Sequence, residues 1–203
     1  MDTCQTCGSA FEAPLKPGRR PRFCTPKCRL KNHRLVKKYN LPGEMAAQKR
    51  WVKCQGKRPI QTNGRAASTT KPSTWTTISQ VAASTAGDGY GYGYMLGDGI
   101  GCIDLDHCIY ADGTLTALAA SILAACPDTY VEVSASRAGL HIFGMISEGP
   151  GWKRGGVEIY SRERFIRMTG RRFEWPERGM APMLLANLDD LAAQLRDGRI
   201  VRE

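Results

Sequence analysis

Polar and apolar residues alternate along six short stretches between residues 89 and 169, at 89–96, 101–106, 129–134, 139–144, 157–160 and 165–169. Alternation of this kind is the mark of a half-buried strand, whose successive side chains point to opposite faces. The first stretch alternates glycine with tyrosine, so Tyr90, Tyr92 and Tyr94 share one face. Asp98-Gly99 follows it and has the composition of a hairpin turn, which predicts that this strand pairs antiparallel with the next. Helical spacing appears in two places. Leu115, Leu118, Ala119 and Ile122 predict a helix over 114–126, and Leu184, Leu188, Leu191 and Leu195 predict a closing helix over 183–195 whose stripe packs on a core. Ser73-Thr74-Trp75 is expected to open a further helix, with Ser73 as its cap. Strands and helices mixed in this order, with a hairpin among them, predict an α+β domain around a largely antiparallel sheet.

Charge alters this picture by dividing the chain. Residues 1–58 hold 15 Lys and Arg against 3 Asp and Glu, a net of +12, whereas residues 59–203 hold 14 against 16, a net of −2. The whole basic excess of +10 is therefore N-terminal. Such asymmetry points to a polyanion partner, most simply nucleic acid, the plainer alternative being a solvated basic linker. The 203 residues suffice for one good core and a small appendage. No apolar run has the length of a membrane span and no secretory signal opens the chain, so a cytoplasmic location is expected.

Four of the eight cysteines are clustered early, as Cys4-x2-Cys7 and Cys24-x3-Cys28. Two close pairs can each occupy one edge of a tetrahedron, which predicts a zinc site. His33 offers an alternative nitrogen ligand, and Gly8 suits the turn after the first pair. A unit of this size cannot build its own core, so a bound metal would supply its folding energy. The expected organisation is a Cys4 zinc module over 1–34, a basic and partly helical linker over 35–50, and a larger domain over 51–203. Arg19, Arg20, Arg22, Lys27, Arg29, Lys31 and Arg34 stud the first unit and suit contact with nucleic acid or with protein. Cys54, Cys102, Cys108 and Cys126 have no spacing partner and read as plain buried or half-buried thiols.

The alternation also sorts the polar groups. Asp104 and Asp106 emerge on one face of their strand while Ile103 and Leu105 point to the other. Two like charges side by side on a half-buried sheet repel, and a divalent cation between them resolves the repulsion. His141 stands against Leu140 and Ile142 in the same way, and Glu158 and Tyr160 against Val157 and Ile159. Asp104, Asp106 and Glu158 together would form an oxygen-rich site suited to Mg²⁺ or Mn²⁺. Ser134, Ser136 and Arg137 lie in a turn just before His141, and hydroxyls, a guanidinium and backbone amides suit a triphosphate. The sum is a candidate site for two-metal phosphoryl transfer. Each piece alone has a plainer reading, a satisfied polar histidine or an exposed strand glutamate. Order, spacing and shared facing carry the inference.

Ile103-Asp104-Leu105-Asp106-His107-Cys108, then Glu132-Val-Ser134-Ala-Ser136-Arg-Ala-Gly139-Leu-His141-Ile, then Val157-Glu158-Ile-Tyr160 and Arg164-Phe165-Ile-Arg167-Met-Thr169-Gly170, resemble the three motifs of primase-polymerases. These are the phage and plasmid branch of the archaeo-eukaryotic primase superfamily, and the segment from Arg65 to Trp75 and the Gly/Tyr strand are similar to the same branch. The resemblance covers roughly residues 51–170 and implies an RRM-like sheet flanked by helices, with template-directed nucleotidyl transfer as the activity. It implies that Asp104, Asp106 and Glu158 hold the catalytic metals and that His141, Ser134 and Ser136 bind the incoming nucleotide's phosphates. Arg137 would contact nucleotide or template, Arg164 and Thr169 would support the site, and Tyr160 would select the sugar. Single-stranded DNA and nucleoside triphosphates are the implied partners, in a bacterial host or phage-infected cell. Two departures stand out: Glu158 where Asp is common, and Arg137-Ala138 where a Ser/Gly pair is commoner. No Gly-x4-Gly-Lys-Ser/Thr loop is present, so a helicase would be a separate polypeptide. A non-catalytic zinc-dependent nucleic-acid binder and a metal-dependent nuclease are the alternative readings.

Overall fold

A computed structural model describes residues 1–4, 6, 7, 9–12, 21–84 and 90–200; Gly8, Arg19, Arg20 and Gly89 lie outside the described residues. The chain begins with a small hairpin, β1 (Asp2–Thr3) and β2 (Ala10–Phe11), followed by α1 (Pro26–Tyr39) and the short α2 (Gly43–Ala46). Next come β3 (Trp51–Gln55), β4 (Arg58–Ile60), α3 (Ile78–Ser84), β5 (Gly91–Met95) and β6 (Ile100–Leu105). Helix α4 (Ala117–Ala125) leads to β7 (Tyr130–Val133), β8 (Leu140–Met145), β9 (Trp152–Arg154), β10 (Val157–Tyr160) and β11 (Phe165–Met168). A two-stranded β12 (Glu174–Trp175) and β13 (Gly179–Met180) and the closing α5 (Asp189–Arg196) complete the order.

The expected α+β class and antiparallel pairing are present, but the strands divide into two main sheets. One runs β7-β8-β6-β10-β9 and the other β11-β5-β3-β4. One face of the five-stranded sheet presents Ile103, Leu105, Leu140, Ile142, Val157 and Ile159 to Ile122 and Leu123 of α4 and to Leu191 and Leu195 of α5. Ile103, Ile142 and Ile159 are fully buried there, and each such side chain contributes about 1.5–3 kcal/mol. The opposite face presents Tyr130, Phe143 and Cys102 to a second core, shared with Trp51, Tyr94, Ile166 and Met168 of the four-stranded sheet and with Leu41, Met45, Ile78 and Val81.

The division corrects the expected hairpin. Around Asp98-Gly99 only a single bridge forms, Gly97 with Ile100, and β5 and β6 then part into different sheets. Both edges of each strand are taken by other partners: β5 lies between β11 and β3, and β6 between β8 and β10. The Gly/Tyr alternation of β5 serves this arrangement. Tyr94 is buried in the second core, while a Cβ on Gly93 would lie 1.8 Å from the Phe165 ring. The bare strand therefore lets Phe165 of β11 lie across it.

Three further expectations shift. Ser73 caps no helix; it sits in a single 3-10 turn, Pro72–Thr74. The Trp75 indole donates to the Ser68 carbonyl, 2.6 Å, and its ring stacks on Arg50, which keeps the chain extended there. Helix α3 starts later, behind a capping box in which Thr77 Oγ1 accepts from the Gln80 amide and Gln80 Oε1 accepts from the Thr77 amide, both at 3.3 Å. The closing helix begins at Asp189 rather than at 183, because residues 184–188 zip along Tyr130 and Met145: Leu184 O accepts from Tyr130 N, and the Leu188 amide donates to Met145 O. Leu184 is consequently exposed and the apolar stripe starts at Leu188. Finally, residues 35–50 are no free linker. They are partly helical, as expected, holding the last five residues of α1 and the whole of α2, but Leu41, Met45 and Ala46 are buried.

Candidate functional site

Two constellations carry chemistry. The first is the N-terminal cysteine cluster. The loop of the β1–β2 hairpin brings Cys4 and Cys7 to the start of α1, where Thr25 caps the helix by accepting from the Cys28 amide and Pro26 occupies the first turn. The four sulfurs of Cys4, Cys7, Cys24 and Cys28 all lie within 4.8 Å of one another. Cys7 to Cys24 is 3.6 Å and Cys24 to Cys28 is 3.7 Å. Sulfurs about 2.3 Å from a tetrahedral zinc stand roughly 3.8 Å apart, so the cluster fits Zn²⁺. Burial raises the Cys4 thiol, but hydrogen bonds from the backbone of Cys24, Thr6 and Cys7 outweigh it and bring the group down to about 6. Cys7 is lowered as well, by hydrogen bonds from Ser9, whereas the sulfurs of Cys4 and Cys7 push Cys24 up to about 12, so a metal ion would have to displace its proton. His33 is an exposed residue of α1 and is not part of the cluster.

Helix α1 joins this module to the body. Leu35 and Tyr39 pack on the second core, Arg22 pairs with Glu44 of α2, and Asn40, in the left-handed conformation at the helix end, donates to Gly170 O at 2.8 Å. The other side of α1 is cationic. Lys27, Lys31, Arg34 and Lys38 fall at i, i+4, i+7 and i+11, forming one exposed stripe, and Arg29 is exposed as well.

The second constellation is a row of side chains across the five-stranded sheet. Strand register sets Glu132 of β7 opposite His141 of β8, His141 opposite Asp104 of β6, Asp104 opposite Glu158 of β10, and Glu158 opposite Lys153 of β9. Residues paired in this way share a face. The next row on that face, Tyr130, Phe143, Cys102 and Tyr160, closes one end with aromatic packing. The other end is open, and Asp106 and Ser134 lie there. Asp106 stands one residue beyond β6, held in register by its amide, which donates to Gly156 O at 2.8 Å. The chain then turns at His107, whose φ is +51°. Cys108 and Ile109 both donate to Ala138 O and tie this turn to the Ser134–Gly139 loop.

Glu132 is the residue that the sequence reading missed. It is fully buried and accepts four hydrogen bonds. His141 Nδ1 and the Thr169 amide bond to Oε1 at 3.1 and 3.0 Å, and the Tyr130 hydroxyl and the Gly170 amide donate to Oε2 at 3.0 and 2.9 Å. Glu132 thereby fixes the ring of His141, whose Nε2 points at Asp104 Oδ1, 3.7 Å away. Burial disfavours the imidazolium of His141, but the Glu132 carboxylate, with Asp104 and Asp106 behind it, prevails and raises its pKa above the usual value. Asp104 is raised too, first by burial and further by the charges of Asp106 and Glu158, against the opposing pull of His141. Burial would also raise Glu158, yet hydrogen bonds and charge from Lys153, Tyr160 and Arg164 leave it lowered.

The remaining site residues fall around the row. The Tyr160 hydroxyl donates to Glu158 Oε2 at 2.7 Å, and Arg164 reaches the same oxygen at 3.4 Å while lying over the Tyr160 ring. Ser134 Oγ and Ser136 Oγ are 2.9 Å apart, and Ser136 accepts from the Ala138 amide. Arg137 is exposed at the tip of that turn with φ +66°. The Thr169 hydroxyl donates to Val133 O at 2.6 Å, so it braces β7 and Glu132. Asp104, Asp106 and Glu158 are thus gathered on one face. Among the described residues, however, only the four cysteines bring three or more His, Cys, Asp or Glu ligand atoms within 4.8 Å of one another. Glu158 is turned to its cations instead. The three carboxylates are hard-oxygen donors of the kind Mg²⁺ or Mn²⁺ takes, but their oxygens do not converge on one point, and burial is the first cause of the raised Asp104.

Two cavities flank this face without enclosing it. One of about 260 Å³ reaches Asp106 from the α4 side, between Thr116 and Gly156. One of about 1250 Å³ lies between the cysteine module and the body, lined by Lys31, Lys49, Arg50 and Trp75 among others. Neither is lined by Asp104, His141 or Glu158, so the row lies outside both. No helix among the described residues is long and apolar enough to cross a membrane. Comparison of the sequence with protein-family models and with curated protein sequences returns no match.

Proposed function

We propose that this chain is a template-directed nucleotidyltransferase, a DNA primase or polymerase of the primase-polymerase type, acting in phage or plasmid replication. The observation that carries the reading is the cross-strand register, in which Glu158 and His141 flank Asp104 on one open sheet face, with Asp106 and the Ser134–Ser136 turn at its edge. Asp104, Asp106 and Glu158 would hold two Mg²⁺ or Mn²⁺ ions. Such ions neutralise charge on the attacking and leaving oxygens of a phosphoryl transfer and make a 3′-hydroxyl more acidic. His141, fixed by Glu132, presents Nε2 to a phosphate oxygen. Ser134, Ser136 and the exposed Arg137 offer hydroxyl and guanidinium donors beside it. Tyr160, braced on Glu158, forms the wall on the closed side, where a sugar would lie.

The basic stripe of α1 supports a role for the zinc module in holding single-stranded template through its phosphates. Such contacts make affinity fall steeply with salt. A replicative helicase would act as a separate partner.

One assay decides among the reactions. The full chain is incubated with single-stranded DNA, nucleoside triphosphates and Mg²⁺ or Mn²⁺. Longer products that depend on nucleotide support the proposal. Shortened template would instead make the chain a nuclease, and DNA binding with neither outcome would make it a binder. Asp104→Asn is expected to abolish synthesis while DNA binding persists, and full synthesis by that variant would refute the site.

A further inference from the structure

Lys153 completes the polar row, and its geometry differs from that of every other member. Strand β9 has three residues and lies at the sheet edge, pairing with β10 alone among the described residues. The Lys153 side chain is 64% exposed, whereas Glu158, its partner in register and in charge, is 6% exposed. The two oxygens of Glu158 are held differently. Oε2 is fixed by the Tyr160 hydroxyl and reached by Arg164, and Oε1 is held by the Lys153 ammonium. The carboxylate is therefore anchored through one oxygen and capped on the other by a flexible cation at the surface. The ammonium, at the surface, is free to leave, but the buried carboxylate it caps then requires another cation in its place.

Charge adds a second constraint. Lys153 and Arg164, both paired with Glu158, already offset part of the charge of Asp104, Asp106 and Glu158 on this face. Divalent cations added to this set would leave it net positive, and a polyphosphate is the anion that restores balance. A lysine released from Glu158 would still be tethered beside the metal ions, within reach of such an anion.

We infer that Lys153 is a displaceable internal cation: it caps Glu158 Oε1 until a divalent metal ion takes that oxygen, and its freed ammonium then binds the polyphosphate of the nucleotide. This rests on the proposed reading of Asp104, Asp106 and Glu158 as metal ligands. Binding by the full chain, without any turnover, tests it. Mn²⁺ binding is followed by the electron paramagnetic resonance of the free ion. Inorganic tripolyphosphate binding at saturating Mn²⁺ is followed by calorimetry.

Lys153→Met should tighten Mn²⁺ several-fold in the absence of anion, and weaken tripolyphosphate several-fold. Unchanged or weaker Mn²⁺ binding, or unchanged tripolyphosphate binding, overturns the inference. Glu158→Gln separates the two levels. It should weaken Mn²⁺ and abolish the effect of Lys153→Met. If Glu158→Gln leaves Mn²⁺ unchanged, the metal-ligand reading falls, and the inference with it. If Glu158→Gln weakens Mn²⁺ but Lys153→Met does not tighten it, only the inference falls. Lys153 is an exposed edge residue and Glu158 keeps Tyr160 and Arg164, so Lys153→Met is expected to fold.

Discussion

Replacing Glu132 by Leu tests the centre of the site through stability, independently of any activity. The carboxylate is fully buried and accepts from the His141 ring, the Tyr130 hydroxyl and the amides of Thr169 and Gly170. Leucine has similar volume and leaves all four donors in a dry interior. One buried donor left unpaired costs about 1–3 kcal/mol, and removing one partner of a buried charged pair costs about 3–5 kcal/mol. The costs overlap. Tyr130 can lean on Asn40 O at 3.5 Å, and His141 can lose its proton. A total of about 4–6 kcal/mol is therefore expected. A chain of this size loses roughly 2–4 °C per kcal/mol, so the melting temperature should fall by about 10–20 °C. Urea unfolding should show a lower midpoint at unchanged slope. Glu132→Gln keeps one acceptor oxygen and should cost about 1–3 kcal/mol, which provides a reading if the leucine variant does not fold. Glu163→Leu, at an exposed position, serves as control. A loss below about 1 kcal/mol for Glu132→Leu would refute the argument that this carboxylate organises the face.

Further outcomes follow from the same geometry. The raised pKa of His141 means that its contribution is complete below its unfolded value near 6.5 and is lost as pH rises through the higher folded value. Urea midpoints of the parent should thus fall more between pH 6 and pH 9 than those of His141→Phe, and parallel pH profiles would contradict this. Gly93→Ala drives a methyl into the Phe165 ring and should cost about 1–3 kcal/mol in thermal melts, with Phe165→Leu in the same chain restoring part of it. The cysteine cluster should bind one zinc per chain, measured by elemental analysis, and Cys7→Ser should lower the stoichiometry and release DNA-binding affinity at low salt. A Cys7→Ser chain that retains full zinc content would remove the site.

Much of the local structure was legible in the chain. Period-two alternation located β7, β8, β10 and β11 to within a residue or so, and it set Asp104, His141 and Glu158 on the polar sides of their strands. The cysteine spacing marked the four sulfurs that meet in space. Glu132 carried the same signal, since alternation over 130–134 places it with Tyr130 and Ser134, against Val131 and Val133. Its importance could not be read there. Three of its four partners lie 9, 37 and 38 positions away, and a buried carboxylate is informative only once its donors are known. Lys153 was silent for a similar reason, as a lysine in a short exposed strand looks like any solvated charge.

What the sequence by itself determined is therefore what depends on neighbours within a few positions: which residues face together, which cysteines sit as close pairs, and where the positive charge collects. Tertiary structure decided the rest. It parted β5 from β6 at a turn that looked like a hairpin, because each strand had better edges to pair with elsewhere. It unwound the first turn and a half expected of the last helix, because residues 184–188 found backbone partners on Tyr130 and Met145. Above all it chose the register that lines up Glu132, His141, Asp104, Glu158 and Lys153. Facing follows from the geometry of one strand. Register follows from the competition of many strands for hydrogen bonds and for two apolar cores, and no local pattern encodes its outcome.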